Sequence, residues 1–218
     1  MAAGPIGSVI LGLYEQGMTA SPAERAALLA RAGGDASDAT LGDADRAAWG
    51  FLTRHFGATQ DAILTCSACG ESIEFTLPPG FAPPQVRLQD ELQVTQNSTA
   101  IALRLPRLSD LENGWFDPRK LAPDADWADP DFRQAAETAL LAADPALKLD
   151  LSLSCAACDA DQTQAFDVTG FVWARLEQTA RALVRDVAKL ARGYGWSEAE
   201  ITAMTPTRRA IYLQELGD

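Results

Sequence analysis

Four cysteines, standing as two pairs of identical spacing, constrain this chain more than any other feature: Cys66-Ser-Ala-Cys69 and Cys155-Ala-Ala-Cys158. Each pair interrupts a run with a period of two. Asp61-Ala-Ile-Leu-Thr65 precedes the first pair, and after it Ile73, Phe75 and Leu77 alternate with Ser72, Glu74 and Thr76. Before the second pair Leu147, Leu149, Leu151 and Leu153 alternate with Lys148, Asp150, Ser152 and Ser154, and Gln164-Ala-Phe-Asp-Val168 supplies a return strand. Such alternation marks half-buried strands, so each pair caps a hairpin. Two facing Cys-x2-Cys tips are the ligand arrangement of a zinc ribbon, in which four thiolates surround Zn2+ with Zn–S bonds of about 2.3 Å. The expectation is a structural zinc ion held by Cys66, Cys69, Cys155 and Cys158, with no open position for catalysis. Disulfides and thiol redox chemistry are the alternatives. The first needs an oxidising compartment, and the second needs the pair to open a helix, whereas Gly70-Glu-Ser-Ile-Glu74 leads into a strand.

From Cys69 to Cys155 is 86 positions, so a long insertion must leave and re-enter the ribbon. Within it, Val86 to Val94 and Thr99 to Leu105 read as two strands joined around Gln96-Asn-Ser98, residues 106–126 are irregular, and Asp129-Pro130 starts a helix that ends at Asp144-Pro145. Ahead of the ribbon, a weak segment near 6–16, a Ser21-Pro-Ala-Glu24 capping box and a run from Asp43 to His55 predict helices. Behind it a helix from Phe171 to Arg192 carries an apolar arc that includes Val172, Trp173, Leu176, Ala180 and Leu183. The expected fold is α+β: an N-terminal helical unit over 1–58, a split zinc ribbon over 59–169 with its insertion at 78–146, and a long helix plus C-terminal helical arm over 170–218.

With 47% hydrophobic residues over 218 positions, the chain can bury a sizeable core. Its formal net charge is −12, which removes long-range attraction to nucleic acid or anionic lipid. One basic stripe, Arg181, Arg185, Lys189 and Arg192, runs against that balance. It reads as a solvated face, with Glu177 four residues before Arg181, or as the contact of an acidic partner or a phosphate backbone, the latter making the chain a zinc-ribbon nucleic-acid module, the alternative to a protein-binding role. No apolar run is long enough for a membrane helix, and the mild stretch Val9 to Tyr14 lacks the flanks of a signal peptide; the expected location is cytoplasmic. His55, the single histidine, has no nucleophile motif beside it and reads as structural. No enzymatic activity is expected.

The last stretch is the most distinctive. It runs Tyr194-Gly-Trp196-Ser197-Glu-Ala-Glu200-Ile201-Thr-Ala-Met204-Thr-Pro206-Thr-Arg208-Arg209-Ala-Ile-Tyr212-Leu213, a capping box, a proline helix start and a set of aromatic, aliphatic and arginine anchors. This pattern resembles small proteins of contractile phage tails and phage-tail-like injection systems, including the T-even-type baseplate protein family. The cysteine hairpins resemble those of the same gene neighbourhoods, where a Cys-Pro-x-Cys-Gly knuckle is the usual form; here Ser67 replaces the proline, and Asp159 stands where glycine follows. The resemblance implies a baseplate component or assembly factor in the producing cell's cytoplasm, with incorporation into the particle as a later fate. It implies other baseplate or tail-assembly proteins as partners, contacted through Tyr194, Trp196, Ile201, Met204, Arg208, Arg209, Tyr212 and Leu213.

Overall fold

Seven α-helices and eight short strands form within the described residues, 6–34, 39–78, 80–86, 91–112 and 115–217, of a computed structural model. Helices α1 (Ile6–Gly17), α2 (Pro22–Gly33) and α3 (Leu41–Phe56) come first. Thr40 starts α3 by accepting the Asp43 N–H at 3.2 Å. The first hairpin pairs β1 (Asp61–Thr65) with β2 (Ser72–Thr76). In the insertion β3 (Glu91–Gln96) pairs with β4 (Thr99–Arg104), and β5 (Leu111–Glu112) with β6 (Trp115–Phe116), a contact in the stretch expected to be irregular. Of the strand expected over Val86 to Val94, Val86 itself is exposed and outside any strand, residues 87–90 lie outside the described residues, and β3 begins at Glu91. Helix α4 (Pro130–Ala143) begins at its Asp129 cap. The second hairpin pairs β7 (Asp150–Ser154) with β8 (Asp161–Ala165), and helices α5 (Val168–Tyr194), α6 (Glu198–Thr202) and α7 (Pro206–Leu216) follow.

The return strand expected over 164–168 is displaced. β8 leaves the second knuckle directly and ends at Ala165. Asp167 then accepts the Gly170 N–H at 2.9 Å, an N-terminal cap that begins α5 at Val168 rather than at Phe171.

The chain divides into two compact units, Pro22–Gly170 and the combination of Met1–Ser21 with Phe171–Asp218. The helices expected as one unit over 1–58 are therefore parted. Helix α1 belongs with α5 to α7, packing on α6, because Gly17 leaves room for the Trp173 ring, which an added Cβ would overlap, and Tyr14 stacks on the same ring with centroids 6.4 Å apart. In this smaller unit Ile201 is fully buried, and Arg209 is buried with its Nη1 donating to the Met204 carbonyl at 3.0 Å and its Nε 3.5 Å from Asp186.

In the larger unit the insertion has a core of its own. Alternation in β3 and β4 turns Leu92, Val94, Leu103 and Leu105 toward Phe132, Ala136 and Ala143 of α4. A second cluster joins Leu108 of the insertion to Ala26, Ala30, Ala39 and Ala44. Backbone bonds stitch the same seam, from Leu41 N–H to the Pro106 carbonyl at 2.9 Å and from Leu108 N–H to that of Ala39 at 3.0 Å. The Arg46 guanidinium closes it, bidentate on the fully buried Asp144 at 2.8 and 2.9 Å and bonded to the Pro84 carbonyl. Removing one member of such a buried pair costs about 3–5 kcal/mol.

Candidate metal centre

The two knuckles are built alike. In the first, Cys66 N–H donates to the Glu71 carbonyl at 2.8 Å and Gly70 N–H to that of Cys66 at 2.9 Å. In the second, Cys155 N–H donates to Ala160 at 3.0 Å and Asp159 N–H to Cys155 at 2.8 Å. The likeness extends past the strands: Leu77 N–H bonds the Gln60 carbonyl, and Phe166 N–H bonds that of Leu149. Both hairpins have the same burial pattern along both strands. Each turn needs a left-handed residue after its second cysteine, Gly70 at φ 76° and Asp159 at φ 54°.

Facing each other, the knuckles bring all four Sγ atoms within 4.8 Å of one another. Cys66 lies 3.8 Å from Cys158, and Cys69 lies 3.8 Å from Cys155. A tetrahedron with metal–sulfur bonds of about 2.3 Å has edges of about 3.8 Å, so the donor set fits a four-thiolate metal ion. Cys66 and Cys155 are buried, Cys69 and Cys158 exposed, and none is bonded in a disulfide.

The sulfurs are surrounded by backbone donors. N–H groups of Cys69 and Ala68 favour the Cys66 thiolate and bring that thiol down to about 6. The Glu71 N–H does the same for Cys69, yet the Cys158 and Cys66 sulfurs beside it prevail and push it up to about 12. Cys158 accepts from Ala160 N–H and is favoured as thiolate by Cys69, yet partial desolvation of its sulfur and the Cys155 and Cys66 sulfurs together hold it above its ordinary value. Cys66 thus ionises readily while Cys69 and Cys158 resist. A dication relieves that repulsion and releases their protons.

Side chains unseen in the sequence reading hold the hairpins together. Gln162 Oε1 accepts from both the backbone N–H and the hydroxyl of Ser67, at 2.9 and 3.1 Å, inside the first knuckle. Gln164 Nε2 donates to the Thr65 carbonyl at 3.1 Å. These glutamines occupy the places in β8 that Ile73 and Phe75 hold in β2. Superimposing the two Cys-x2-Cys frames would have exposed that exchange.

The residues expected to meet a partner are split. Ile201 and Arg209 are spent inside the smaller unit, and Met204 and Leu213 are half-buried. Tyr194, Trp196 and Tyr212 form a ring cluster: Tyr194 stacks on Trp196 at 4.4 Å, Tyr212 meets Trp196 edge-on at 4.8 Å, and the Tyr194 hydroxyl donates to the Tyr212 carbonyl. Arg208, exposed, lies 6.0 Å from the Tyr212 ring centre. His55 packs against Phe51 with ring centroids 4.7 Å apart, and burial beside Arg54 lowers its pKa.

The described helices include none long and apolar enough to cross a membrane. No known protein family, curated protein or solved structure matches the chain.

Proposed function

We propose that the chain binds one structural Zn2+ through Cys66, Cys69, Cys155 and Cys158 and serves, without catalysis, in the assembly of a contractile, phage-tail-like baseplate through protein contacts. The observation that carries the metal assignment is the pair of 3.8 Å sulfur edges. Four soft thiolates in tetrahedral array suit zinc, and a ligand set closed by four side chains makes the ion a fold element rather than a reaction centre. Its place also favours that role, because it ties two hairpins separated by the whole insertion. The baseplate assignment is supported by the Tyr194 to Leu213 pattern, in which exposed Tyr194 and Arg208 border the half-buried rings of Trp196 and Tyr212, residue types that anchor protein interfaces.

Co-expression with the baseplate proteins of the same contractile system, followed by size-exclusion chromatography with light scattering, tests the role. A discrete complex of fixed stoichiometry that carries zinc is expected. Baseplates that assemble normally while the chain elutes alone would contradict it.

A further inference from the structure

We infer that the outward face of α5 is a docking face for an acidic amphipathic helix of a partner protein. At about 100° per residue, Arg181, Arg185, Lys189 and Arg192 fall within an arc of about 80°, and Arg175 lies about 40° beyond. All five are exposed. They span about 25 Å of helix at about 1.5 Å per residue. This inference rests on α5 and is independent of the baseplate reading.

The stripe stands out against the rest of the chain. The larger unit carries 23 acidic and 11 basic residues and so the entire net charge of −12, whereas the smaller unit balances seven against seven. Five of those seven cations lie on this one face. Within α5 the acidic residues number two against these five cations. Of its two acids, Asp186 is turned to Arg209, and Glu177 pairs with Arg181 at 2.6 Å in an exposed i, i+4 contact that contributes little. Arg175 reaches only the Gln178 amide, at 3.4 Å, and among the described residues Arg185 and Arg192 have no ion pair.

Two observations favour a protein helix over a phosphate backbone. Val184 is 52% exposed and, with exposed Ala188, forms an apolar strip beside the cations. An amphipathic helix can bury that strip, whereas a sugar-phosphate backbone has nothing apolar to place on it. A net charge of −12 also repels an extended polyanion, while a short acidic helix meets only charges within a screening length of about 8 Å. The i, i+4 spacing of Arg181, Arg185 and Lys189 matches carboxylates placed at i, i+4 on a facing helix.

Titration of the isotope-labelled full chain, followed by NMR, tests this with three probes. They are a helical peptide of about 20 residues with glutamates at i, i+4 beside a leucine seam, its glutamine counterpart, and a short DNA duplex. The acidic peptide should shift resonances confined to 174–192. Binding should fall with the glutamine peptide and weaken about tenfold in the Arg181→Glu/Arg185→Glu/Arg192→Glu variant, at about twofold per exposed pair, with metal content and helicity unchanged. An Arg185→Gln/Arg192→Gln variant, gentler on the fold, should weaken it by an intermediate factor. Stronger shifts from the duplex on the same face would assign the stripe to nucleic acid instead. Shifts outside α5, shifts indifferent to these variants, or none at millimolar peptide would equally overturn the inference.

Discussion

Asp159 takes φ 54° in the second knuckle, in the place that Gly70 fills at φ 76° in the first. A left-handed backbone costs a non-glycine residue about 1–2 kcal/mol, partly offset by the extra chain entropy that glycine loses on folding. Asp159→Gly is therefore expected to raise the unfolding free energy of the metal-loaded protein by about 0.5–1 kcal/mol in denaturant melts. A loss of stability would show that the Asp159 carboxylate supports the turn. Asp45 makes a second demand. Burial, with Asp167 and Asp144 adding repulsion against the relief from Arg46, pushes its carboxyl up to about 7. The folded state thus holds this proton to higher pH than the unfolded chain, whose carboxyl titrates near 3.9. Stability falls as pH rises from about 4 to about 7 and stays lowered above that. Asp45→Asn should stabilise by about 1–2 kcal/mol at pH 8, the full shift being discounted for partial solvent access, and have little effect near pH 4. Equal gains at both pH values would mean that packing, not ionisation, is responsible.

At the scale of elements, the C-terminal helices are held chiefly by Ile201, which is fully buried, and by the Arg209–Asp186 pair. All four thiols lie in the other unit. A chain truncated after Arg192 should keep one equivalent of metal while the smaller unit loses helicity and becomes open to proteolysis within α1. Unchanged melting and digestion would show that α6 and α7 contribute nothing to it. These helices were legible because their caps are local: Ser197 and Glu200 satisfy each other's backbone N–H groups at 2.8 and 3.3 Å, and Thr205 caps α7 ahead of Pro206. β8 was misplaced for an equally physical reason. The positions in Asp161-Gln-Thr-Gln-Ala165 that an apolar alternation would fill are Gln162 and Gln164, whose amides bond the first hairpin, so the strand has no hydrophobic period to find. Helix α1 showed a short apolar face without any local mark of what covers it, and its pairing with Trp173 and α6 depends on residues more than 150 positions away in sequence.

For the whole molecule, paired cysteine spacing revealed the centre, because two identical short motifs carry their geometry with them. The wiring of the larger unit was hidden, since Arg46 and Asp144 are unremarkable charges until folding buries them together. The insertion packs its own core and is sewn to α2 and α3, so the chain between the knuckles is an organised body and not slack. A metal ion at its root would join the two ends of that excursion, making metal binding and folding one equilibrium, with apparent free energies for structural zinc of about 10 kcal/mol or more. Native mass spectrometry of protein purified without chelator, combined with a thiol count after denaturation, tests this most directly. The account predicts one zinc ion per chain and four free thiols once the metal is stripped, with Cys66→Ser or Cys158→Ser abolishing the zinc-bound mass. A metal-free chain containing two disulfides would contradict it.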